Sequence, residues 1–313
     1  MSKVLITTDY LGPGDHVDRL LRKHGYEPTY SPSSGSRNLE EMATLLKGVE
    51  GAILASEPVT AEMLDVADQL QVLARSGVGY DSIDVAAATA RGIKVCNAPG
   101  TNHHSVAELT MGLVITSARQ LASVISAVNQ GGWPRFAGHE LRGATLGVIG
   151  YGASGRAVAR LGAAFGMNVI VSTAYPDEQE SAVTFSDLDE VFRQSDYLSL
   201  HTTVNENTHR IINTAHLQMM KPSAILINTA RGALVDEVAL AQAVHSGTIA
   251  GAALDVLETE PLPPDSPLRT LENVIVTSHL AGQTVEARMR SGGVAAQAVI
   301  DVLEGRDPAH PVE

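Results

Sequence analysis

Cysteine is nearly absent. Cys96 stands alone among 313 residues, which excludes an internal disulfide and a cysteine-built metal site and suits a reducing compartment. Basic charge is short as well: 22 Lys and Arg face 35 Asp and Glu, a formal balance of −13. With no clustered cations, the chain does not suit nucleic acid or an anionic membrane as partners. Long apolar runs are also missing. The most apolar helical stretch, residues 105–130, carries Glu108, Arg119 and Gln120, so it does not read as a membrane span. The opening "MSKVLITTDY" passes directly into a strand pattern without the charged and apolar regions of a secretion signal. The expected location is the cytoplasm. Aromatics make up only 4% of the chain, whereas apolar residues make up 44% and charged residues 18%, the profile of a globular protein. At this length two domains are expected.

What is present is alternation. "KVLITT", "HVDRLLRKHG", "EPTYS", "LEEMATLLKG", "AILAS", "AEMLDVADQ", "LQVLARS", "SIDVAAATARG" and "IKVCNAP" read as strand, helix, strand in turn, joined by Gly, Pro, Ser or Asp. A second series runs from "TLGVIG" to "NVIVTS". Regular β-α alternation predicts α/β architecture, with parallel doubly wound sheets covered by helices on both faces. Residues 1–98 form one unit and residues 99–283 another, with a closing helix near 284–304 that can return to the first. The tail "LEGRDPAHPVE" reads as a polar end. Between the two series one long helix is predicted from Ser105, where Ser105 and Glu108 have the spacing of a reciprocal N-terminal box. Val106, Leu109, Leu113, Leu121, Val124 and Val128 would form its buried face, with a gap near Ser117. Such a helix suits a core, a domain junction or a dimer contact.

"GVIGYGASGR" places Gly150, Gly152 and Gly155 between a strand and a helix, the arrangement that admits a pyrophosphate. Ala153 and Ser154 lie inside the loop. The acidic residue expected about twenty positions later to take the ribose hydroxyls is missing, since Ser172 and Thr173 occupy that strand end. Asp177 and Glu178 are alternatives, or simply a solvated acidic loop. No Arg follows immediately to hold a 2′-phosphate, so the reading favours NAD and leaves NADP open.

Ligands of open α/β sheets bind beyond the carboxyl ends of the strands. That rule selects Arg75, Ser76, Gly77, Val78 and Gly79, then Arg231, then Glu258 to Glu260, then His279. His279 has the chemistry of a general acid/base near neutrality, a carboxylate at Glu260 would orient it, and Arg231 has the fork to hold a carboxylate. The backbone amides of Ser76 to Gly79 suit an anion. Taken singly, each of these residues is equally a structural histidine, a cap or a surface turn.

Together, "RSGVGYDSID", "GVIGYGASGR", "NTARGALVDE", "GAALDVLETEPLP" and "TSHLAG" resemble, in order and spacing, the D-isomer-specific 2-hydroxyacid dehydrogenases, with the phosphoglycerate dehydrogenase type the nearest branch. The resemblance covers nearly the whole chain. It implies two Rossmann-like domains, the dinucleotide-binding domain (99–283) inserted into a flavodoxin-like substrate domain (1–98 and 284–313), with the active site in the cleft between them. It further implies His279 as acid/base, Glu260 as its partner and Arg231 as the substrate-polarising cation. Glu260 is preferred to Glu258 because it directly precedes Pro261. The amides of Gly77, Val78 and Gly79 match the carboxylate cradle, with Arg75, Ser76 and Asn102 beside it. Asp255 matches the residue that meets the nicotinamide carboxamide, and Thr202, Thr229, Ala230 and Gly282 match the cofactor groove.

Four positions depart from the family pattern: Ser154, Thr173, Thr203 and Ser278. Arg75 matches one phosphate-directed basic residue of the phosphoglycerate branch, while Ala55 stands where a second would be. Ala55, Arg75, Trp133 and Arg135 would shape selectivity. The implied activity is hydride exchange between a nicotinamide cofactor and a small D-2-hydroxy acid or its 2-keto acid, by a homodimer. The alternatives are a nicotinamide-sensing regulatory protein of the same fold, or oxidation of a one-carbon or inorganic anion.

Overall fold

The computed structural model describes residues 2–32, 37–177 and 180–312. The chain divides into two compact units, Met1–Asn102 with Gly282–Glu313, and His103–Ala281. In chain order the first unit contains β1 (Lys3–Ile6), α1 (His16–Lys23), β2 (Glu27–Tyr30), α2 (Leu39–Leu46), β3 (Gly51–Leu54), α3 (Ala61–Leu64), β4 (Val72–Arg75), α4 (Val85–Ala90) and β5 (Lys94–Cys96). The second unit contains α5 (His103–Ala118), α6 (Leu121–Asn129), β6 (Thr145–Ile149), α7 (Ala153–Ala164), β7 (Asn168–Ser172), β8 (Thr184–Phe185), α8 (Leu188–Gln194), β9 (Tyr197–Leu200), α9 (Thr214–Met219), β10 (Ile225–Asn228), α10 (Glu237–His245), β11 (Gly251–Leu254) and β12 (Val274–Val276). The chain then returns to the first unit with α11 (Val285–Leu303) and β13 (Pro311–Val312).

Short polar residues start the helices. Asp15 accepts the Asp18 amide ahead of α1, Asp84 does the same for the Ala87 amide ahead of α4, and Asn38 and Glu41 cap each other's amides at α2. Each cap satisfies a donor that the helix leaves unpaired. The first sheet has the order β13-β5-β4-β3-β1-β2 and is parallel except for β13. Successive residues face opposite sides. Val4, Ile6, Val72 and Ala74 therefore pack with the apolar side of α11, while Leu5, Leu73, Ala52 and Leu54 form a separate core with Met42 and Leu46 of α2. The connections reverse direction between β1 and β3. That reversal opens a binding edge at the strand carboxyl ends.

The second sheet, β12-β11-β10-β9-β6-β7-β8, is wholly parallel and reverses between β6 and β9. One face packs Leu146, Val148, Val169 and Val171 against Met111 and Val114 of α5 and Val158 of α7; the other buries Phe192, Leu198, Leu200 and Leu226. Both units are α/β with doubly wound sheets, the fold the alternation predicts.

Some local expectations fail. The helix expected as one piece from Ser105 is two, α5 and α6, bent by 68° where Gln120 takes a left-handed φ of 50°. Packing separates them: α5 buries Met111, Leu113, Val114 and Ala118, whereas α6 buries nothing, so Leu121, Val124 and Val128 do not continue a buried face. The helix also begins at His103, which puts Ser105 inside its first turn and buried, and not at the N-cap position expected of it. The tail read as a polar end is instead a strand, Val312 pairing antiparallel with Val95. Two residues are too few for a periodicity signal. Among the described residues no single helix is long and apolar enough to cross a membrane.

Candidate active site

The glycine loop joins β6 to α7, and two of its glycines are required by close approaches. At Gly150, φ is +94° and a Cβ would lie 2.4 Å from the His201 carbonyl oxygen; at Gly155 a Cβ would lie 2.1 Å from the Gly150 oxygen. Gly152 differs, because a Cβ there meets nothing within 4 Å. It is the N-cap of α7 and supplies no side-chain cap bond. The first amides of α7 and the positive end of its dipole therefore face an open approach beside Ala153 and Ser154, which suits a pyrophosphate. The Gly150 amide donates to the Ser172 carbonyl at 2.8 Å, tying the loop to the end of β7.

Beyond β7 the Thr173 hydroxyl accepts the Tyr175 amide at 3.3 Å. Asp177 pairs with Arg156 at 3.0 Å, and Glu178 lies outside the described residues. After β9, Ser199 Oγ and His201 Nε2 are 2.8 Å apart, and burial pulls the imidazole pKa down to about 4, keeping it neutral. Thr202 follows it. After β10, the Thr229 and Thr110 hydroxyls bond at 3.0 Å, and the Ala230 amide donates to Asn228 Oδ1. Shape and donors along this edge fit a dinucleotide.

The acid/base candidates are held by a buried carboxylate. Asp255, immediately after β11 and 1% exposed, accepts the Thr277 hydroxyl at 2.6 Å and the Leu280 and Ala281 amides at 2.8 Å. Its own carbonyl accepts the His279 amide at 2.8 Å. These bonds hold His279 at a left-handed φ of 59°, a conformation that carries a penalty of about 1–2 kcal/mol for a residue with a Cβ. His279 Nδ1 then lies 2.9 Å from Glu260 Oε2, and Glu260 Oε1 accepts the Leu257 amide at 3.0 Å. Burial acts to raise the Glu260 pKa. The bond from His279, the Leu257 amide and the charges of His279 and Arg231 outweigh it, and the net shift is downward. Glu258 faces elsewhere, paired with Arg210 at 2.8 Å.

Arg231 lies on the turn after β10. Asn228, fully buried, donates to the Arg231 carbonyl at 2.8 Å, and Arg231 Nη1 donates to the Ala230 carbonyl at 2.7 Å. The next residue must be glycine, since a Cβ on Gly232 would lie 1.9 Å from the Leu257 carbonyl carbon. That close approach sets the Arg231 turn against the segment bearing Glu260. Asn228, Thr110 and Thr277 were missed from the sequence; the signal available was a polar residue at the last, buried place of a strand, as Asn228 is in "ILIN".

In the first unit, Arg75 closes β4, its Nη1 3.3 Å from the Leu54 carbonyl oxygen. Ser76 is buried; its Oγ donates to Ser291 at 3.3 Å and accepts the Tyr10 hydroxyl at 2.8 Å. The Gly77 amide is engaged within the turn, donating to the Arg75 carbonyl at 2.8 Å. That leaves Val78 and Gly79 as the amides of the expected cradle without a backbone partner among the described residues. Asn102 lies against Gly282, where a Cβ would come within 2.9 Å of its Nδ2. Gly282, expected in the cofactor groove, thus belongs to the first unit.

Known proteins share both the sequence and the fold. Residues 111–281 match the family described as D-isomer specific 2-hydroxyacid dehydrogenase, NAD binding domain. The chain is 42% identical over 273 residues to D-3-phosphoglycerate dehydrogenase of Methanocaldococcus jannaschii, a match covering 85% of this chain and 52% of that protein. It is 41% identical over 259 residues to hydroxypyruvate reductase of Thermotoga maritima, covering 81% and 84% respectively. Among solved structures, the TT0316 protein from Thermus thermophilus superposes with a TM-score of 0.92 at 37% identity, covering 99% of this chain and 100% of that one. The chain spans about half the length of the phosphoglycerate dehydrogenase it matches, and most of the length of the reductase. On sequence and fold alike, this chain belongs to the D-isomer specific 2-hydroxyacid dehydrogenase family.

Proposed function

We propose that the protein is a dehydrogenase interconverting a small D-2-hydroxy acid and its 2-keto acid with a nicotinamide dinucleotide. The observation that carries this reading is the 2.9 Å bond between His279 Nδ1 and Glu260 Oε2. It supports different work for the two imidazole nitrogens: Nδ1–H donating to the carboxylate, and Nε2 taking or giving a proton.

In the oxidising direction His279 Nε2 accepts the substrate hydroxyl proton, and Glu260 stabilises the imidazolium that forms. In the reducing direction the same atom returns the proton to the carbonyl oxygen. Arg231 neutralises the substrate carboxylate and draws electron density from the adjacent carbonyl. In the first unit, the Val78 and Gly79 amides suit an anionic oxygen. Gly150, Gly152 and Gly155, with the first amides of α7, hold the dinucleotide pyrophosphate; Thr202, Thr229 and Ala230 border its nicotinamide half. The bound nicotinamide supplies the two-electron exchange. Asp255 acts chiefly through its grip on the 277–281 loop, with its Oδ2 able to accept from the carboxamide. On this reading the first unit is the substrate domain and the second the dinucleotide-binding domain. Cys96, buried with its thiol pKa pushed up to about 11, is an inert core residue of a cytoplasmic enzyme.

A homodimer completes the reading. The uncovered side of α6 presents Leu121, Ile125 and Val128, and Trp133 follows, 82% exposed. An apolar strip of this kind calls for a partner, and a second copy is the one proposed here. Sedimentation should give a dimer for the native chain and a monomer for Ile125→Glu with Val128→Glu; a native monomer would contradict the dimer.

The substrate is tested with a panel of 2-keto acids, phosphorylated and not, each assayed with NADH and NADPH. Saturable reduction of at least one small 2-keto acid is expected. Absence of turnover across the panel, with intact dinucleotide binding, would overturn the reading.

A further inference from the structure

We infer that the adenosine end of the dinucleotide site takes a 2′-phosphate, so that the bound cofactor is the 2′-phosphorylated dinucleotide, with Arg156 as the residue that selects it. This rests on the proposed dinucleotide site and reverses the preference for NAD that the sequence favoured.

The ribose edge begins at the end of β7. A carboxylate at that position would accept both ribose hydroxyls and repel a 2′-phosphate. Ser172 and Thr173 stand there instead, and both are donors. The Thr173 oxygen already accepts the Tyr175 amide, which leaves its O–H to donate outward. Serine and threonine hydroxyls of this kind suit phosphate oxygens and offer an unphosphorylated ribose no charge-assisted bond.

The cation comes from another element, which is why it cannot be seen in the sequence after β7. Arg156 is the residue after Gly155, in the first turns of α7. Its guanidinium carbon lies 4.5 Å from the centroid of the Tyr151 ring. Tyr151 is buried and set edge-on to Phe185 of β8 at 5.3 Å. The arginine is thus aimed along the loop after β7 by a fixed aromatic platform and not left to sample solvent. Its Nη1 bonds Asp177 Oδ2 at 3.0 Å, with both side chains more than one-third exposed. A partly exposed pair of this kind is weak, whereas a guanidinium on a phosphate dianion makes two charge-assisted bonds. Arg156 therefore gains by exchanging one acceptor for the other. The Gly150 amide bonded to the Ser172 carbonyl fixes the glycine loop, and α7 with it, to the strand end bearing the two hydroxyls. Tyr175, 85% exposed in the same loop, offers a face on which adenine can stack.

The test is calorimetric titration of the full chain with adenosine 2′,5′-bisphosphate and with AMP, which differ only in the 2′-phosphate. NADPH and NADH are then titrated in the same way. The bisphosphate is expected to bind at least about tenfold more tightly than AMP. Arg156→Gln should remove most of that ratio with AMP binding little changed. Thr173→Asp should invert it. Asp177→Asn should increase it by releasing the arginine, an effect opposite to the one expected if the ion pair only stabilised the fold. Equal affinities, or tighter AMP binding, would overturn the inference and leave the dinucleotide site standing. Failure of all four ligands to bind would overturn both.

Discussion

Turnover of the best 2-keto acid is expected to fall about 10³-fold in His279→Gln, with dinucleotide affinity within about twofold of the native chain. The geometry determines which property is lost. Nδ1 is committed to Glu260, so proton transfer belongs to Nε2, and a glutamine amide offers a donor there but no titratable site. Backbone strain is the confounding factor, since His279 sits at a left-handed φ. His279→Asn separates the two effects: asparagine occupies that region more readily than most residues and also lacks a usable base. Both variants should lose turnover and keep a melting temperature close to native. Native-like turnover in either one contradicts the role.

Arg231→Met should lower kcat/KM for the keto acid by about 10²–10³-fold, again without loss of dinucleotide affinity. Arg231→Lys should recover only a minor part. Lysine restores the charge but not the planar fork that engages carboxylate and carbonyl together. The turn itself should survive either change. Besides the Nη1 bond to the Ala230 carbonyl, its conformation is held by the Asn228 side chain and by the close approach of Gly232 to Leu257, and these two do not involve the guanidinium. Comparing 2-keto acids with matched ketones lacking the carboxylate locates the effect: the loss should be large for the former and small for the latter. A loss that is the same for both would remove Arg231 from carboxylate recognition.

The architecture was legible because it rests on repetition. Alternating β and α patterns, each bounded by Gly, Pro or Asp, specify parallel doubly wound sheets whatever the details of packing. The strand-end rule led from sequence to His279, Glu260 and Arg231, which the fold places on neighbouring strand ends of one sheet. Tertiary detail was not legible. The break at Gln120 depends on α5 finding a core and α6 finding none, a difference that similar strings of Leu, Val and Ala do not encode. The hold of Asp255 on the 277–281 loop spans more than twenty residues, so no local pattern announces it. The Gly77 amide, expected to face a substrate, donates to the Arg75 carbonyl within its own turn, a bond that no sequence pattern announces. Arg156 was passed over for a related reason: its relation to the ribose edge is set by the fold of the glycine loop and not by distance along the chain.

The fate of the transferred hydrogen tests the proposed chemistry most directly. With a keto acid that the enzyme reduces and a reduced nicotinamide dinucleotide carrying deuterium at both C4 positions, product deuterated at C2 and of D configuration is expected, with His279→Gln forming it about 10³-fold more slowly. Product of L configuration, or product without deuterium at C2, would contradict that chemistry.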